Sequence, residues 1–565
     1  LRIEHSVGRA PVSLLGMSYL KQRLDGVEAI SEVLRTTGTV STGAFDQTTI
    51  SIMAVDTDSF ANVAWYREDF TNENSLIALT ETIDVDPSLS LLSDGILLPP
   101  YATNLSLWVN PGAIDPRSSL TGRVRDAGGF YFDISFGQLN FEDWRLDSKG
   151  WIRLDADLFP SRSRRSLPLR INETGWLDFL GAVPPFTLLS IRVNMNSARD
   201  PGAIFLGDLS VVTPFEEIHL DDFQSFLDNW HVVEDYDVPG LFALEPSEAV
   251  ARPGTRGSAD NADNDAPPGQ KARPDTGSAA LSWVPGGLAF PGIREGKPEE
   301  PVPAIVSRSL LDVAGAQLGD SLTIGTIDAT VPIKVVAVAD YFPTLDPRER
   351  PFIVTDLRTL NLYTNLHGQG LVGGSNEIWT SLDGVNADPG EVVGALNGFG
   401  INMGETFVAA EMVSQRVNQP LVNAGWGGLL ILMFLALVLA SASGVMLFSY
   451  TNTQERNTEF ALLRTLGFSR GQLNGVVWFN LLLVMVCGIA LGTWAGQQIG
   501  ISVLPILEVA EEGIRVTPPM VLQINWGILL GTYLILAVVA TTTVVWLAWI
   551  TTKLDVQRVL RIGEA

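Results

Sequence analysis

Residues 425–450 read GWGGLLILMFLALVLASASGVMLFSY, a stretch without a single charge. A helix of this length extends about 39 Å at 1.5 Å per residue, enough to cross a hydrocarbon layer of roughly 30 Å with some tilt. Two more uncharged stretches follow, residues 473–504 and 525–550. The first of these carries Gly488, Gly492, Gly496 and Gly500 at four-residue spacing. That spacing lines small residues along one helical stripe and favours close helix contact in lipid. The last ends in WLAWI, whose Trp546 and Trp549 suit a membrane interface. Buried helices of a soluble core rarely repeat such charge-free lengths three times in so short a span. Residues 425–565 therefore read as a module of three transmembrane helices.

Charge divides the chain in the same place. The 565 residues hold 63 acidic and 37 basic side chains, a formal net charge of −26. From Thr451 onward the two signs balance, and no charge lies between Pro420 and Thr451. All of the net negative charge therefore sits in the first 420 residues. Such a surface is a poor match for nucleic acid, whose phosphates need local positive charge, and it argues against simple electrostatic adhesion to anionic lipid. The one cysteine, Cys487, excludes a disulfide framework within the chain and a cysteine-built metal site. His5, His219, His231 and His367 are scattered and give no metal-ligand spacing. We expect no catalytic site, no metal and no cofactor.

Lysine and arginine in the short loops set the orientation. Residues 451–472 hold Arg456, Arg464 and Arg470, and the tail holds Lys553, Arg558 and Arg561, whereas residues 505–523 hold only Arg515. The first loop and the tail are read as cytoplasmic. The second loop and residues 1–424 are read as extracytoplasmic, in a multi-pass protein of the plasma membrane. The sequence opens LRIEHSVGRA, with no initiator methionine and no preceding apolar segment. We read it as a fragment whose first transmembrane helix preceded Leu1.

The outer part predicts a discontinuous α/β unit, residues 1–117 and 301–420, with a β-sandwich inserted at 118–240. Residues 14–24 look helical, and residues 48–55 (TTISIMAV) make a good strand. From 118 onward FYFDISF, WIRLDADL, LLSIRV and IFLGDLSVV follow one another without credible helices, the spacing of a jelly-roll-like sandwich. Trp144, Trp151 and Trp176 could stack on a sugar if exposed, although core packing is the plainer reading. Residues 241–300 are rich in proline, glycine and aspartate and are expected to form a disordered linker. ILLPPYATNLSLWVNPG at 96–112 and AIVSRSLLDVAGAQLGD at 304–320 share an apparent plan of strand, short helix and turn. The predicted fold class is a multidomain membrane protein, an extracellular α/β domain with an inserted sandwich followed by three transmembrane α-helices.

The cytoplasmic loop carries the most specific signal. Residues 453–473 read TQERNTEFALLRTLGFSRGQL. Leu462 and Leu466 lie four apart on one helix face, Leu463 sits three after Phe460, Gly467 makes the turn, and Ser469 is placed to cap the next helix. Arg456, Glu459, Ala461, Leu462, Leu463, Arg464, Leu466, Gly467, Ser469 and Leu473 form an R-x2-E-x-A-L-L-R-x-L-G-x-S-x3-L pattern. This pattern, with the helix–loop–helix–outer loop–helix order around it, resembles the coupling segment and C-terminal permease module of FtsX/MacB-like ABC transporter permeases. The resemblance implies a partner ABC ATPase on the cytoplasmic side, with the short loop helix seated in a groove of it. It further implies pairing with a second permease module in the membrane lipid. ATP-driven motion would reach an outer domain that acts on lipid, lipoprotein, peptide or cell-envelope substrate. Coupling is assigned on this basis to Arg456, Glu459, Leu462, Leu463, Arg464 and Gly467.

The chain itself has no GxxxxGK[ST] phosphate loop, and its membrane stretches lack the ionisable residues of an ion path. One alternative is a membrane-anchored carbohydrate-binding or adhesion protein. Another is an anchored glycosidase using Asp143, Asp155 or Asp157, which needs two opposed carboxylates.

Overall fold

The computed structural model describes residues 2–5, 24, 26–41, 46–70, 75–85, 95–115, 117–139, 150–159, 169–171, 177–179, 182–195, 201–223, 227–233, 240–246, 277–285, 291–326, 329–368, 374–383, 388–398, 403–412, 428–456, 459, 462–463, 466–507 and 522–553. The chain forms two compact units, Leu1–Ala409 and Ala410–Ala565.

The first unit is built on a nine-stranded mixed sheet. From edge to edge its strands are Ser321–Gly325, Thr330–Ala339, Val302–Ser307, Phe352–Asp356, Gln47–Val55, Val27–Ser41, Glu377–Leu382, Arg2–His5 and Met403–Phe407. Two neighbouring pairs run parallel, Val302–Ser307 with Thr330–Ala339 and Phe352–Asp356 with Gln47–Val55. The first strand also pairs with the far end of Val27–Ser41, Ile324 opposite Val40 and Gly325 opposite Thr39, so six strands close into a ring. Closure brings backbones together at Gly38, where a Cβ would stand 2.6 Å from the Gly325 carbonyl oxygen. Alternation then sorts the side chains. Ile50, Ile52, Ala304, Val306 and Ile333 pack with Leu357, Leu360 and Tyr363, while Met53, Val55, Ile305 and Val354 pack with Phe60, Leu79 and Trp379.

Helices described around this sheet include α1 (Leu76–Glu81), α2 (Arg308–Ala314), α3 (Leu357–His367) and α4 (Pro389–Gly398). The first three start at side-chain caps. Ser75, Ser307 and Asp356 accept hydrogen bonds from the backbone N–H groups of Ala78, Leu310 and Thr359.

Between Glu81 and Val302 lies an antiparallel sandwich. One sheet orders Trp230–Val233, Gly292–Glu295, Thr187–Asn194, Ser119–Arg125 and Tyr131–Gln138, with Ile96–Leu97 also on Thr187–Asn194. The other orders Phe242–Pro246, Ser278–Trp283, Gly202–Val212, Asn104–Ala113 and Ile152–Asp157, with Glu217–Asp221 also on Gly202–Val212. Leu105, Leu107 and Val109 from one sheet meet Leu120, Val124 and Ile191 from the other in a shared core.

The sandwich is therefore wider than 118–240. Asn104–Ala113 and Ser278–Trp283 are the two strands flanking Gly202–Val212, and both lie outside the expected interval. The expected linker at 241–300 contains three strands, Phe242–Pro246, Ser278–Trp283 and Gly292–Glu295, while residues 247–276 lie outside the described residues. The apparent echo between 96–112 and 304–320 also fails. The second segment is strand then helix, but Asn104–Ala113 is one extended strand, with Leu105, Leu107 and Val109 buried on its inner face. The helix expected at 14–24 lies almost wholly outside the described residues.

One carboxylate of this unit sits in an unfavourable place. Burial, and then the negative charge of Asp56, push Glu32 up to about 8, against a smaller opposing pull from Arg358. The folded protein thus holds a proton that the unfolded chain releases near its ordinary value of 4.5. Stability from this group is full below about pH 4.5 and falls as pH rises to about 8, by an amount on the order of 5 kcal/mol. Glu32→Gln is expected to match wild type at pH 4 and to melt several degrees higher at pH 9. Thermal unfolding across that range checks it.

The second unit contains α5 (Gly428–Glu455), α6 (Arg470–Leu507) and α7 (Trp526–Lys553). Each is long and apolar enough to cross a membrane, with segments Ile431–Phe448, Trp478–Leu504 and Trp526–Thr543 of mean hydropathy 2.5, 1.8 and 1.7. Their outward faces are almost entirely apolar, with Leu432, Leu437, Leu491, Trp494, Ile528 and Leu534 exposed. In lipid that exposure is favourable. Ala540 packs with Val445 and Met485, and Thr493 and Tyr533 share a hydrogen bond between α6 and α7. The chain is a multi-pass membrane protein with an extracytoplasmic segment.

Candidate functional site

Between α5 and α6 the chain makes a tight helical turn. Residues 459, 462 and 463 are helical, and the Leu466 N–H donates to the Leu462 carbonyl at 3.2 Å. Gly467 then takes φ +95°, a left-handed value that suits glycine. The Phe468 N–H reaches back to the Leu463 carbonyl at 3.2 Å. A left-handed glycine followed by this six-to-one hydrogen bond is a Schellman stop. Two residues later the next helix starts with a reciprocal cap. The Ser469 N–H donates to Gln472 Oε1 at 2.9 Å, and the Gln472 N–H donates to Ser469 Oγ at 3.3 Å. A side chain at Gly467 would meet no neighbour within 4 Å, so the conformation alone calls for glycine there.

This turn presents its leucines unequally. Leu462 and Leu466 are 66% and 70% exposed, whereas Leu463 is half-buried. Phe468 is also exposed, as are Arg456 and Glu459. Leu466, whose spacing from Leu462 was legible in the sequence, is likewise an outward apolar side chain. Arg464 lies outside the described residues.

Trp151 gives no sugar platform. Trp151 is 2% exposed, which leaves no ring face open to stack on a ligand, so its assignment to sugar stacking is corrected to core packing. Trp144 and Trp176 lie outside the described residues. The acids are occupied locally. Asp155 accepts from Ser106 Oγ and Arg153 Nε, and Asp157 accepts from the Phe159 N–H at 2.7 Å. Asp143 lies outside the described residues. Among the described residues no three His, Cys, Asp or Glu side chains converge to hold a metal ion.

A junction that sequence reasoning missed locks the sandwich to the closed sheet. Arg123 and Arg192 stand on neighbouring strands of the sandwich, opposite Ser190 and Thr121, and both are almost completely buried. Both guanidinium groups point at the end of α3. Arg123 Nη1 donates to the carbonyls of Asn365 and Gly368, and Arg192 donates to the carbonyls of Gly368 at 2.7 Å and His367 at 3.3 Å. These are the orphan acceptors at the negative end of a helix dipole, so cations are the natural partners. Asp133 grips Arg123 with two oxygens at 2.8 and 2.9 Å. Among the described residues no carboxylate grips Arg192 in that way. Burial, and then the charge of Arg123, pull it down to about 9, while Asp133 opposes the fall.

A second arm of the junction runs through Glu299. It sits 2.9 Å from Arg294 Nε and 2.8 Å from His367 Nε2, and the Tyr363 hydroxyl donates to the Glu300 carbonyl. Leu189 of the sandwich completes the contact inside the apolar cluster around α3. The available sequence signal was an arginine amid core residues in SLTGRVR and TLLSIRVN, both dense in apolar and small side chains.

Residues 431–555 match the FtsX-like permease C-terminal family, a span that takes in most of α5, the turn after it, α6 and all of α7. A comparison with curated proteins finds no match.

Proposed function

We propose that this chain is the permease subunit of an ABC transporter, driven by a partner ATPase bound at the cytoplasmic turn between α5 and α6. One observation carries this reading. The family match surrounds a Schellman-stopped turn that displays Leu462 and Leu466 beside Glu459 and Arg456. Apolar side chains with flanking charges are what a groove on a soluble ATPase would take up. The leucines fill the groove, Arg456, Glu459 and Arg464 pair with its rim, and Gly467 turns the chain into α6. Leu463, half-buried, holds the turn together. The ATPase supplies the energy, and this chain transmits movement to its extracytoplasmic unit, which handles a lipid, lipoprotein, peptide or cell-envelope substrate.

The test is purification of the full-length protein from its native membrane in mild detergent. An ATP-hydrolysing chain in near-equal amount is the expected result. Its absence, with the permease itself intact, overturns the reading.

A second copy of the permease module completes the machine. Gly488, Gly492 and Gly496 lie along α6, and a methyl placed on any of them would meet nothing within 4 Å. Small residues of this kind allow two helices to approach closely in lipid. Gly492→Leu is expected to lower self-association roughly tenfold while leaving the melting temperature of the outer unit unchanged. Single-molecule subunit counting in nanodiscs across a dilution series measures it.

A further inference from the structure

On the closed-sheet side of the outer unit, residues 63–70 and the loop 340–351 meet in a cluster of rings and arginines. Backbone bonds tie the two segments. The Asp340 N–H donates to the Phe70 carbonyl at 2.8 Å, and the Tyr341 N–H reaches it at 3.4 Å. Phe70 is the hub and is 3% exposed. Trp65, Tyr66 and Tyr341 surround it at centroid distances of 6.0, 5.7 and 5.8 Å. Arg67 lies over the Phe70 ring at 5.1 Å, and Arg348 over the Tyr341 ring at 5.6 Å. Trp65 is the outward member, 66% exposed, with its plane at 84° to that of Phe70.

The loop that completes the cluster is held in place. Phe342 and Leu345 anchor it in the core. Between them Thr344 takes φ +64°, a left-handed value that a β-branched residue rarely adopts. Arg35 Nη2 donates to the Thr344 hydroxyl at 2.6 Å, and Ser309 Oγ donates to the Pro347 carbonyl at 3.4 Å. Strain of this kind persists only where the surroundings impose it, and it gathers at binding sites. Arg348 Nη2 donates to the Tyr341 hydroxyl at 2.6 Å, which fixes the guanidinium over the ring.

The chemistry of this platform selects a ligand. Arg67 holds Asp69 with two nitrogens, and Arg308 holds Asp340. In the loop Arg348 and Arg350 alternate with Asp346 and Glu349. The described charges of the platform are therefore balanced, in an outer part that carries all of the chain's net negative charge. Neither a basic nor a polyanionic partner gains from that balance. An open indole suits a ligand with a flat C–H face, and a fixed Arg–Asp fork sets donors and acceptors side by side for hydroxyl groups. A pyranose ring has both features. A protein partner would need about 800 Å² per side, with an apolar surround to exclude water. The charged pairs beside Trp65 do not supply that surround.

We propose that Trp65, the Arg67–Asp69 pair and Arg348 bind an uncharged glycan strand, one sugar ring stacked on the Trp65 indole. This names a class for the cell-envelope substrate of the permease and rests on that reading for its use, whereas the binding itself needs no ATPase.

Saturation-transfer difference NMR on the full chain in nanodiscs, without ATPase or nucleotide, tests it. Protein-free nanodiscs give the baseline. The probes are the hexamers of cellulose and chitin, with a galacturonic acid hexamer as the anionic control. Transfer to the ring protons of at least one neutral hexamer is expected. Trp65→Ala should lower it about tenfold and Arg348→Gln about threefold, each with a melting temperature close to wild type. Trp65→Phe, which keeps a ring, should retain most of the signal. Baseline transfer from both neutral hexamers overturns the proposal, as does transfer that survives Trp65→Ala or is lost equally in Trp65→Phe. Stronger transfer to the galacturonic acid hexamer overturns the uncharged assignment. No outcome here alters ATPase co-purification, so the glycan site and the permease reading fail separately.

Discussion

Leu466→Asp is expected to release the ATPase from the permease, weakening the complex by at least about 100-fold. Leu466 is largely exposed at the end of the cytoplasmic turn, so the substitution leaves the turn's own packing nearly untouched. Transfer of an unpaired carboxylate into an apolar groove costs several kcal/mol, and each 1.4 kcal/mol is about tenfold in affinity. Leu462→Asp should act in the same direction. Leu463→Ala should act less on binding and more on the turn, because Leu463 is half-buried and its carbonyl accepts the closing hydrogen bond from Phe468. Gly467→Ala should be milder still, since it forces a left-handed conformation on alanine at about 1 kcal/mol with no clash. ATPase retained on immobilised permease in nanodiscs ranks the four. Equal retention by Leu466→Asp and wild type would remove the turn from the coupling role.

Arg123→Met is the second large effect, and it falls on the outer unit. The substitution withdraws charge-assisted hydrogen bonds from the buried carbonyls of Asn365 and Gly368 at the end of α3. Losing them is expected to destabilise the unit by about 2–4 kcal/mol. Arg192→Met should cost less, about 1 kcal/mol, for two reasons. Arg123 still reaches the Gly368 carbonyl, and the repulsion between two buried cations disappears. Denaturant unfolding of the two variants gives the order. The reverse order would mean that Arg192, not Arg123, is the principal clasp. On the proposed reading the junction matters because it ties the sandwich to the closed sheet. A force applied to the sheet then moves the sandwich with it.

The membrane helices were legible because a charge-free run of this length has few other uses, and the structure extends α5 from the expected end at 450 to Glu455. The tight turn between α5 and α6 was legible because glycine, serine and the four-residue leucine spacing each have a local physical role. Which leucine faces outward was not, since that depends on how the Schellman stop rotates the final turn. The sandwich was legible as a run of strands, but its borders were not. Asn104–Ala113 and Ser278–Trp283 are far apart in sequence and are united only by pairing with Gly202–Val212. The arginine clasp was the least legible feature. Arg123 and the carbonyl of Gly368 are 245 positions apart, and nothing near Arg123 shows that a helix end waits for it.

The central claim is that nucleotide binding in the cytoplasm moves an outer unit that is itself rigid. Spin-label distances measure this directly in the reconstituted permease–ATPase complex. Lys334→Cys on the closed sheet and Glu245→Cys on the sandwich are both exposed sites, in a Cys487→Ser background. With both labels in one chain, the distance between them should be the same with and without ATP. With the Glu245 label alone in each of two paired copies, the distance between copies should shift when ATP and vanadate trap the closed ATPase. An intermolecular distance that stays fixed while ATP is bound and hydrolysed would contradict the account.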